Sequence, residues 1–412
     1  MNHRVPSQTS PVVVYFHRYP IEIESQQFAV VRPLIDRLLE RYDVVYLSMK
    51  GYGAPDPELS RGLRIVELPG RISQTRPWNK LFMTLWYYLI FFPVTRRKLK
   101  QLHPALIICK EILPLVPIWL GTLGVPMIVT EVNDWWWSIL LGGRTWGRKL
   151  ARWLERFEIR RWNQIADCVL VVINQIAASH LKQMGVAPER IRIINTPKPP
   201  GVYEPCDAVA MRQALGFHHG QWVVAIHGII RPGKGYGQML EWWKQLVEQH
   251  PNWKLLIIGG AGGARWCRSQ ICQWHLESHV VMTGWLDTQH DVNRHLNAAD
   301  CLLVIRRNSA DNQAIIPSAL YHSMATGKPT VATDLPGIAE IMEHGVNGYL
   351  FEPDRLESFR AVLEHVAAHP EEAARVGQAG IRRCQDCFDP ERTIQQHVAL
   401  IDEILPAKHL NG

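Results

Sequence analysis

The sequence lacks an apolar run long enough to cross a bilayer. Its longest run, residues 81–94, is about fourteen residues and is interrupted near its end by Pro93, whereas a transmembrane helix needs roughly twenty. No signal peptide opens the chain. We therefore expect a cytoplasmic protein without a transmembrane span.

Cysteine pairs are scarce too. Among eight scattered cysteines, Cys384 and Cys387 form a CxxC with no second pair at zinc-ribbon spacing and no redox context around it. An isolated pair favours ordinary cysteines in or beside a helix over a zinc or redox site. We expect these thiols to be reduced.

An acidic excess is also missing. The formal net charge is +7, and many of the sixteen tryptophans stand beside arginine or lysine. This balance favours an anionic partner, such as a membrane surface, a lipid pyrophosphate or a nucleotide. Nothing resembles a nucleic-acid-binding module, so we expect no nucleic acid partner.

What the chain does contain is a repeated alternation of short apolar runs with amphipathic stretches, typical of parallel sheets covered by helices. In the first half we predict strands over 12–16, 43–47, 63–68, 105–109, 126–130 and 168–173, and helices over 28–41 and 146–162. In the second half we predict strands over 222–227, 254–258, 280–283, 301–305 and 329–333, and helices over 238–248, 291–298, 317–326 and from 356 onward.

A proline-rich stretch separates the two halves of the sequence. Residues 195–205 hold four prolines and a glycine, which stiffen a connection and cannot continue a helix or a central strand. We therefore predict domains over 1–198 and 199–390, with a C-terminal helix over 391–412 that packs back on the first domain. Two doubly wound, Rossmann-like domains would face a central cleft at the carboxyl ends of their strands, where such folds bind ligands.

A glycine-rich turn follows the strand over 222–227 and precedes a helix. Its glycines, beginning with Gly228, allow close backbone approach, and the helix N-terminus offers N–H groups to anionic oxygens. Arg231 and Lys234 add a forked donor and a point charge suited to a diphosphate. The alternative is a tight turn with two solvated cations.

A second candidate segment runs over 317–329. The start of its helix could present N–H groups to the same phosphates, and Gly327 would end that helix. His322 follows Ser318 by one helical turn, so both can face the cleft.

Together these motifs resemble, in order, the retaining glycosyltransferases of family 4 and their glycogen-synthase-like relatives. Beside the turn with Gly228, Arg231 and Lys234, the similar passages are residues 280–284, 298–302, 321–331 and 337–348. The resemblance implies the GT-B fold and a nucleoside-diphosphate sugar as donor, with neither a metal nor another cofactor. The donor-binding residues it implies are Gly228, Arg231, Lys234, Gly260, Trp285, Asn312, Ser318 and His322.

The chain departs from the family at one paired motif. Relatives usually carry two glutamates eight positions apart around the sugar and the ribose, and this sequence has Ala314 and His322 there. A neutral imidazole can still hydrogen-bond a ribose hydroxyl. Alanine cannot replace a carboxylate, so contacts to the sugar must come from elsewhere.

The first half supplies the remaining candidates at predicted strand ends. Asp134, with Asn133, resembles the segment that orients the acceptor in relatives, where a carboxylate could also act as a base. The alternative is that Asp134 caps the next helix. Beside the catalytic set of Asn133, Asp134, Arg231 and Lys234, we expect four acceptor-side residues: His17, Arg18, Lys110 and Glu111.

Membrane contact follows from two basic amphipathic stretches. Residues 81–94 carry an apolar face followed by four cations, and the helix over 146–162 sets six cations among three tryptophans. Such surfaces suit peripheral docking on an anionic leaflet. The alternative for 81–94 is a buried helix with a solvated basic flank.

The sequence therefore predicts an α/β enzyme, a retaining hexosyltransferase that moves a hexosyl group from a nucleoside-diphosphate sugar to a glycan or lipid-linked acceptor in polysaccharide or glycoconjugate synthesis. It would be cytoplasmic and peripheral on the inner face of the membrane. Two alternatives stay open: a catalytically silent glycosyltransferase-like subunit, which the replacements at Ala314 and His322 favour, and a nucleotide-sugar epimerase of the same fold.

Overall fold

The computed structural model describes residues 10–17, 20–50, 57, 60–71, 92–110, 116–130, 145–165, 167–197, 199, 201–231, 234–260, 262–309 and 312–405. The chain divides into two compact units. The first comprises Met1–Thr196 together with Glu391–Gly412, and the second comprises Pro197–Pro390.

The first unit is built on a parallel sheet in the order β3-β2-β1-β4-β5-β6-β7. Its strands are β1 Val12–Phe16, β2 Asp43–Lys50, β3 Arg64–Arg71, β4 Leu106–Cys109, β5 Met127–Val129, β6 Cys168–Val172 and β7 Ile191–Ile193. The central strands are almost continuously buried and apolar, as a sheet covered on both faces requires. The first six coincide with the strands predicted from the sequence.

The helices of this unit are α1 Ile21–Leu39, α2 Phe92–Leu102, α3 Val116–Gly121, α4 Thr145–Trp162 and α5 Gln175–Gln183, followed by a 3₁₀ turn over Pro188–Arg190. Helix α1 begins seven residues before the helix predicted over 28–41. Its first turns lack a clear apolar period, and it continues through Pro33, so the sequence pattern alone gave the wrong start.

The second unit repeats the plan with a parallel sheet in the order β10-β9-β8-β11-β12-β13. Its strands are β8 Trp222–His227, β9 Trp253–Ile258, β10 Val280–Gly284, β11 Cys301–Val304, β12 Thr330–Thr333 and β13 Tyr349–Phe351. The helices are α6 Val209–Ala214, α7 Tyr236–Gln249, α8 Ala264–Gln273, α9 Gln289–Asn297, α10 Ser318–Ala325, α11 Pro336–Ala339, α12 Leu356–Ala368 and α13 Pro370–Phe388. Two Rossmann-like domains are thus confirmed, although the sequence analysis missed strand β13 and helices α6, α8 and α11.

The last helix, α14 Pro390–Ile404, packs on the first unit. Leu400 and Ile401 are buried in one apolar cluster with Val13 and Tyr15 of β1. At its edge Arg41 Nη2 lies 2.7 Å from an Asp402 carboxylate oxygen. The chain therefore returns to its first unit after completing the second.

The proline-rich connection is fixed to the second unit at its end. The buried amides of Asn293 and Asn297 on α9 donate to the Glu204 carbonyl at 3.1 and 3.0 Å. Their oxygens accept the backbone N–H groups of Glu204 and Cys206. Residues 204–206 therefore pack as part of that unit rather than as a free linker.

Two sequence predictions concern the helices. Among the described residues, no helix combines the length and apolar character that crossing a membrane requires. Cys384 and Cys387 both lie in α13, with Cys384 buried, so the predicted position in a helix is confirmed.

Candidate functional site

Glycines bring the ends of strands β8 and β9 in the second unit into close backbone contact. Gly228 after β8 and Gly259 after β9 have φ of 119° and 135°, values that L side chains rarely adopt. A Cβ on Gly259 would lie 2.2 Å from the Gly228 carbonyl oxygen. The Ile230 N–H donates to the Gly260 carbonyl oxygen at 3.0 Å. The backbone after β8 therefore packs directly on the backbone after β9, and no side chain fits at Gly259.

Two cations stand on that turn. Arg231 is exposed, and Lys234 is partly buried next to Gly235, the N-cap of α7. Burial, reinforced by Arg306 and Arg231, lowers the pKa of the Lys234 ammonium to about 8. Neither cation has a carboxylate partner in the described part of the chain. This turn therefore offers positive charge and close backbone approach to an anion.

Arg306, which sequence reasoning missed, lies beside this turn. It follows β11, the neighbour of β8 in the sheet, and its backbone N–H donates to Thr333 Oγ1 at 3.0 Å. Burial lowers the pKa of its guanidinium. The sequence pattern that could have indicated Arg306 is an arginine pair directly after a predicted strand. The same pattern is equally typical of two solvated surface charges.

His322 is packed into an aromatic group. Its ring stacks on the buried ring of Tyr203 at 3.8 Å between centroids, and its Nδ1 lies 3.5 Å from His227 Nε2. Burial, then Arg306, lowers the pKa of His227 to about 4, so His227 is neutral at pH 7. The ring predicted to face the ribose thus has one face against the Tyr203 side chain.

The other donor-side candidates differ in placement. Ser318 is the exposed first residue of α10. Trp285, directly after β10, has 55 % of its surface exposed, and Gly260 packs against its backbone. Asn312 instead donates from Nδ2 to the Arg307 carbonyl and to Ser309 Oγ, both at 2.9 Å. Its amide donors therefore hold its own loop.

On the first unit, two acceptor-side candidates lie together. His17 and Lys110 follow β1 and β4, which are neighbours in the sheet, and the Lys110 N–H donates to the Phe16 carbonyl at 3.0 Å. Arg18, Glu111, Asn133 and Asp134 lie outside the described residues. Within the described ranges, no group of three or more His, Cys, Asp or Glu side chains could hold a metal ion.

Comparison with known families matches both halves of the chain. Residues 28–197 match the model of the glycosyl transferase 4-like domain, and residues 208–383 match that of the glycosyl transferases group 1. The two matches follow one another along most of the sequence.

Curated relatives are distant. The amylovoran biosynthesis glycosyltransferase AmsK of Erwinia amylovora is 24% identical over 57% of this chain and 56% of its own length. The D-inositol 3-phosphate glycosyltransferase of Segniliparus rotundus is 26% identical over 52% of this chain and 47% of its own. The chain thus spans about half the length of each of these two relatives.

Solved structures are similar over nearly the whole chain. HepE of Anabaena, in complex with UDP-glucose, superposes with a TM-score of 0.71 at 17% identity, covering 95% of this chain and 99% of its own. The sucrose-phosphate synthase of Thermosynechococcus elongatus superposes with a TM-score of 0.74 at 17% identity, covering 97% and 100%. At such identity the likeness establishes the fold.

Proposed function

Because the chain belongs to the group 1 glycosyltransferases with a 4-like first domain, we propose that it transfers a hexosyl group from a nucleoside-diphosphate sugar to a glycan or lipid-linked acceptor. Its place would be polysaccharide or glycoconjugate synthesis. Two similar proteins support the donor class: HepE structures hold UDP or UDP-glucose, and a TarM structure holds UDP with a GlcNAc-glycerol.

The observation that carries the proposal is the turn after β8. Gly228 leaves room for a ligand's phosphates, while Arg231 and Lys234 bring two cations that have no carboxylate partner among the described residues. A partly buried cation such as Lys234 is costly without a counter-charge, and an anionic ligand would remove that cost. A diphosphate supplies oxygens for both the forked and the point-charge donor.

The chemistry we propose is departure of the diphosphate with charge stabilised by protein cations. As the glycosyl–phosphate bond breaks, negative charge grows on the leaving oxygens, and Arg231 and Lys234 would stabilise it without a metal. The anomeric centre would gain oxocarbenium character. Retention of configuration is proposed from the family resemblance, with sugar contacts supplied by residues other than Ala314.

The acceptor would bind on the first unit. His17 and Lys110 lie at neighbouring strand ends, the position at which this fold class binds ligands. We propose that these side chains and the Asn133–Asp134 segment orient the acceptor hydroxyl.

A panel of UDP, GDP, ADP and TDP with their sugars tests the donor proposal by thermal shift. Binding at a hundredfold excess over Kd should stabilise the protein by about 2.7 kcal/mol. Arg231→Ala/Lys234→Ala should lose the shift, while Lys244→Ala, which removes an exposed cation of the following helix α7, should keep it. A chain that responds to none of these nucleotides would contradict the proposal.

A silent subunit is the second candidate, and His322 favours it. His322, whose ring stacks on Tyr203, stands where the family resemblance implies a glutamate near the ribose. Release of nucleoside diphosphate from the donor sugar found in the panel separates the two. Slow release by the wild-type protein, lost in Arg231→Ala/Lys234→Ala, would establish turnover, whereas binding without release would favour the silent subunit.

We further propose peripheral attachment to the inner face of a membrane, supported by helix α4. Three large apolar side chains are exposed along it, Leu150, Trp153 and Phe157, with Trp153 62 % exposed. Five exposed cations stand beside them: Lys149, Arg152, Arg156, Arg160 and Arg161. Apolar side chains ringed by cations fit an interface with anionic headgroups.

A further inference from the structure

Arg306 and Lys234 are brought together by the sheet rather than by the chain. Strands β8 and β11 pair in parallel, with Leu303 opposite Ile226, so the residues that follow them emerge at the same edge. A Cβ on Gly235 would lie 3.1 Å from Ile305 Cγ1. The backbone after Lys234 therefore packs directly on the residue before Arg306.

The Arg306 guanidinium makes one hydrogen bond among the described residues. Its Nη1 donates to the Ile305 carbonyl oxygen at 2.8 Å, and no other acceptor for this guanidinium is found within the described ranges. The next residue is a contrast, since Arg307 Nε lies 3.1 Å from an Asp354 carboxylate oxygen and its side chain is 51% exposed. Among the described residues, Arg307 has a carboxylate counter-charge and Arg306 has none.

The charged side chains that act on Arg306's surroundings, as far as the structure describes them, are all positive. Arg306 contributes to the lowered pKa values of both Lys234 and His227, which places all three groups within electrostatic reach. Tyr236 is the one group with a favourable charge effect on Arg306, and no Asp or Glu in the described part of the chain contributes. Two cations held together out of water repel each other until an anion joins them.

We propose that Arg306 is a third cationic contact for the diphosphate, beside Arg231 and Lys234. This inference rests on the proposed donor site and makes it more specific. The remaining N–H groups of the Arg306 fork would donate to oxygens of one phosphate, while Lys234 supplies a point charge next to them. As the diphosphate departs, Arg306 would stabilise the charge that develops on it.

The test is calorimetric titration with the nucleoside diphosphate that stabilises the wild-type protein and with the matching monophosphate. The variants are Arg306→Gln, Arg306→Lys and, as matched control, Arg307→Gln. Loss of one charge-assisted contact should weaken diphosphate binding by about ten- to a hundredfold in Arg306→Gln. Arg306→Lys should recover part of that loss, and Arg307→Gln should bind as the wild type does.

Thermal melting without ligand separates a binding role from a structural one. If Arg306 serves the ligand, removing its uncompensated charge should leave the melting temperature of Arg306→Gln unchanged or raise it. A lowered melting temperature with unaltered diphosphate affinity would overturn the inference and make Arg306 a structural residue.

The inference and the donor proposal fail differently. If the wild-type protein binds a diphosphate and Arg306→Gln binds it equally well, the third contact is wrong while the donor site stands. If the wild-type protein binds no nucleotide, the donor proposal fails, and titration with inorganic pyrophosphate then decides whether the three cations form an anion site of another kind. Pyrophosphate binding that Arg306→Gln does not weaken would overturn Arg306 in that case too.

Discussion

At the scale of single residues, Asp300 lies at the start of β11, at the opposite end of that strand from Arg306. Its carboxylate accepts both branches of the Arg212 guanidinium, at 3.1 and 3.0 Å, and the Val223 N–H at 2.7 Å. Arg212 belongs to α6 and Val223 to β8. This residue of the family-like passage over 298–302 therefore joins three elements and has a structural role.

We expect Asp300→Ala to lower the free energy of unfolding by about 2 kcal/mol, because it leaves the Arg212 guanidinium without its carboxylate partner and the Val223 N–H without its acceptor. Chemical denaturation measures the change. Asp287→Ala, which removes an exposed carboxylate after β10, is the control and should stay near the wild-type value. Equal stability of the two variants would show that the Asp300 pair contributes nothing.

Lys234 gives a prediction for pH. With the pKa of the free ammonium lowered to about 8 by burial, Arg306 and Arg231, a bound anion should raise that pKa back toward its ordinary value. Affinity for nucleoside diphosphate should then be full below pH 8 and fall by up to about tenfold per unit above it. Calorimetry at pH 7.0 and about 9 in buffers of different ionisation enthalpy would show proton uptake on binding at the higher pH.

The matched control is Lys234→Arg, whose guanidinium stays charged throughout this range. Its affinity should be flat between pH 7 and about 9. A wild-type affinity that is equally flat would contradict contact between Lys234 and the phosphates.

At the scale of elements, helix α4 exposes large apolar side chains on one face. Leu150, Trp153 and Phe157 recur at three- and four-residue spacing, so they share one side of the helix. Trp153 and Phe157 stack at 6.2 Å between ring centroids. The carboxylate residues Glu155 and Glu158 are buried, so the exposed face of this helix presents apolar side chains and cations.

We expect the protein to sediment with vesicles containing phosphatidylglycerol and not with pure phosphatidylcholine. Arg152→Gln/Arg156→Gln should cost about 1 kcal/mol for each cation removed, or roughly thirtyfold in vesicle binding, because each cation near the surface contributes that much. Rising salt should weaken the wild-type binding in the same direction.

Trp153→Ser/Phe157→Ser tests the apolar part of this face. Its control is Val209→Ser/Val346→Ser, which removes two exposed apolar side chains of the second unit. Loss of vesicle binding in both double variants, or in neither, would argue against docking through α4.

At the scale of the whole molecule, the chain crosses from the first unit to the second and back. Helix α14 supplies buried Leu400 and Ile401 to the cluster around β1, and Arg192 Nη2 lies 2.6 Å from a Glu403 carboxylate oxygen beside it. The stability of the first unit therefore depends on the last helix of the sequence.

Leu400→Ala should lower the free energy of unfolding of the first unit by about 2–5 kcal/mol, the range for deleting a buried leucine side chain. The thermal shift that nucleotide gives the second unit should persist. Hydrogen exchange resolved by peptide would locate the loss in β1 and β2. Gln396→Ala, exposed on the same helix, should change little, and loss of protection in the second unit instead would contradict this assignment.

Features that depend on a short stretch of the chain could be predicted from the sequence pattern. The alternation of apolar runs and amphipathic stretches predicted most strands, because a strand buried on both faces must be apolar along its length. The turn with Gly228, Arg231 and Lys234 was found for the same reason, since its glycine conformation and its cations are set within a few residues. Short β13 and the polar helix α8 gave too little periodicity to be found.

Contacts between residues that lie far apart in the sequence could not be predicted from that pattern. The structure alone decided that Arg306 lies by Lys234, because only the pairing of β8 with β11 brings their strand ends together. It alone decided that Tyr203 covers one face of His322 and that Asp300 holds Arg212. The sequence by itself determined two doubly wound domains and the cationic glycine turn, because burial and backbone conformation act locally. Strand order decided which charges meet at that turn and which are paired elsewhere, because it depends on how the whole sheet packs.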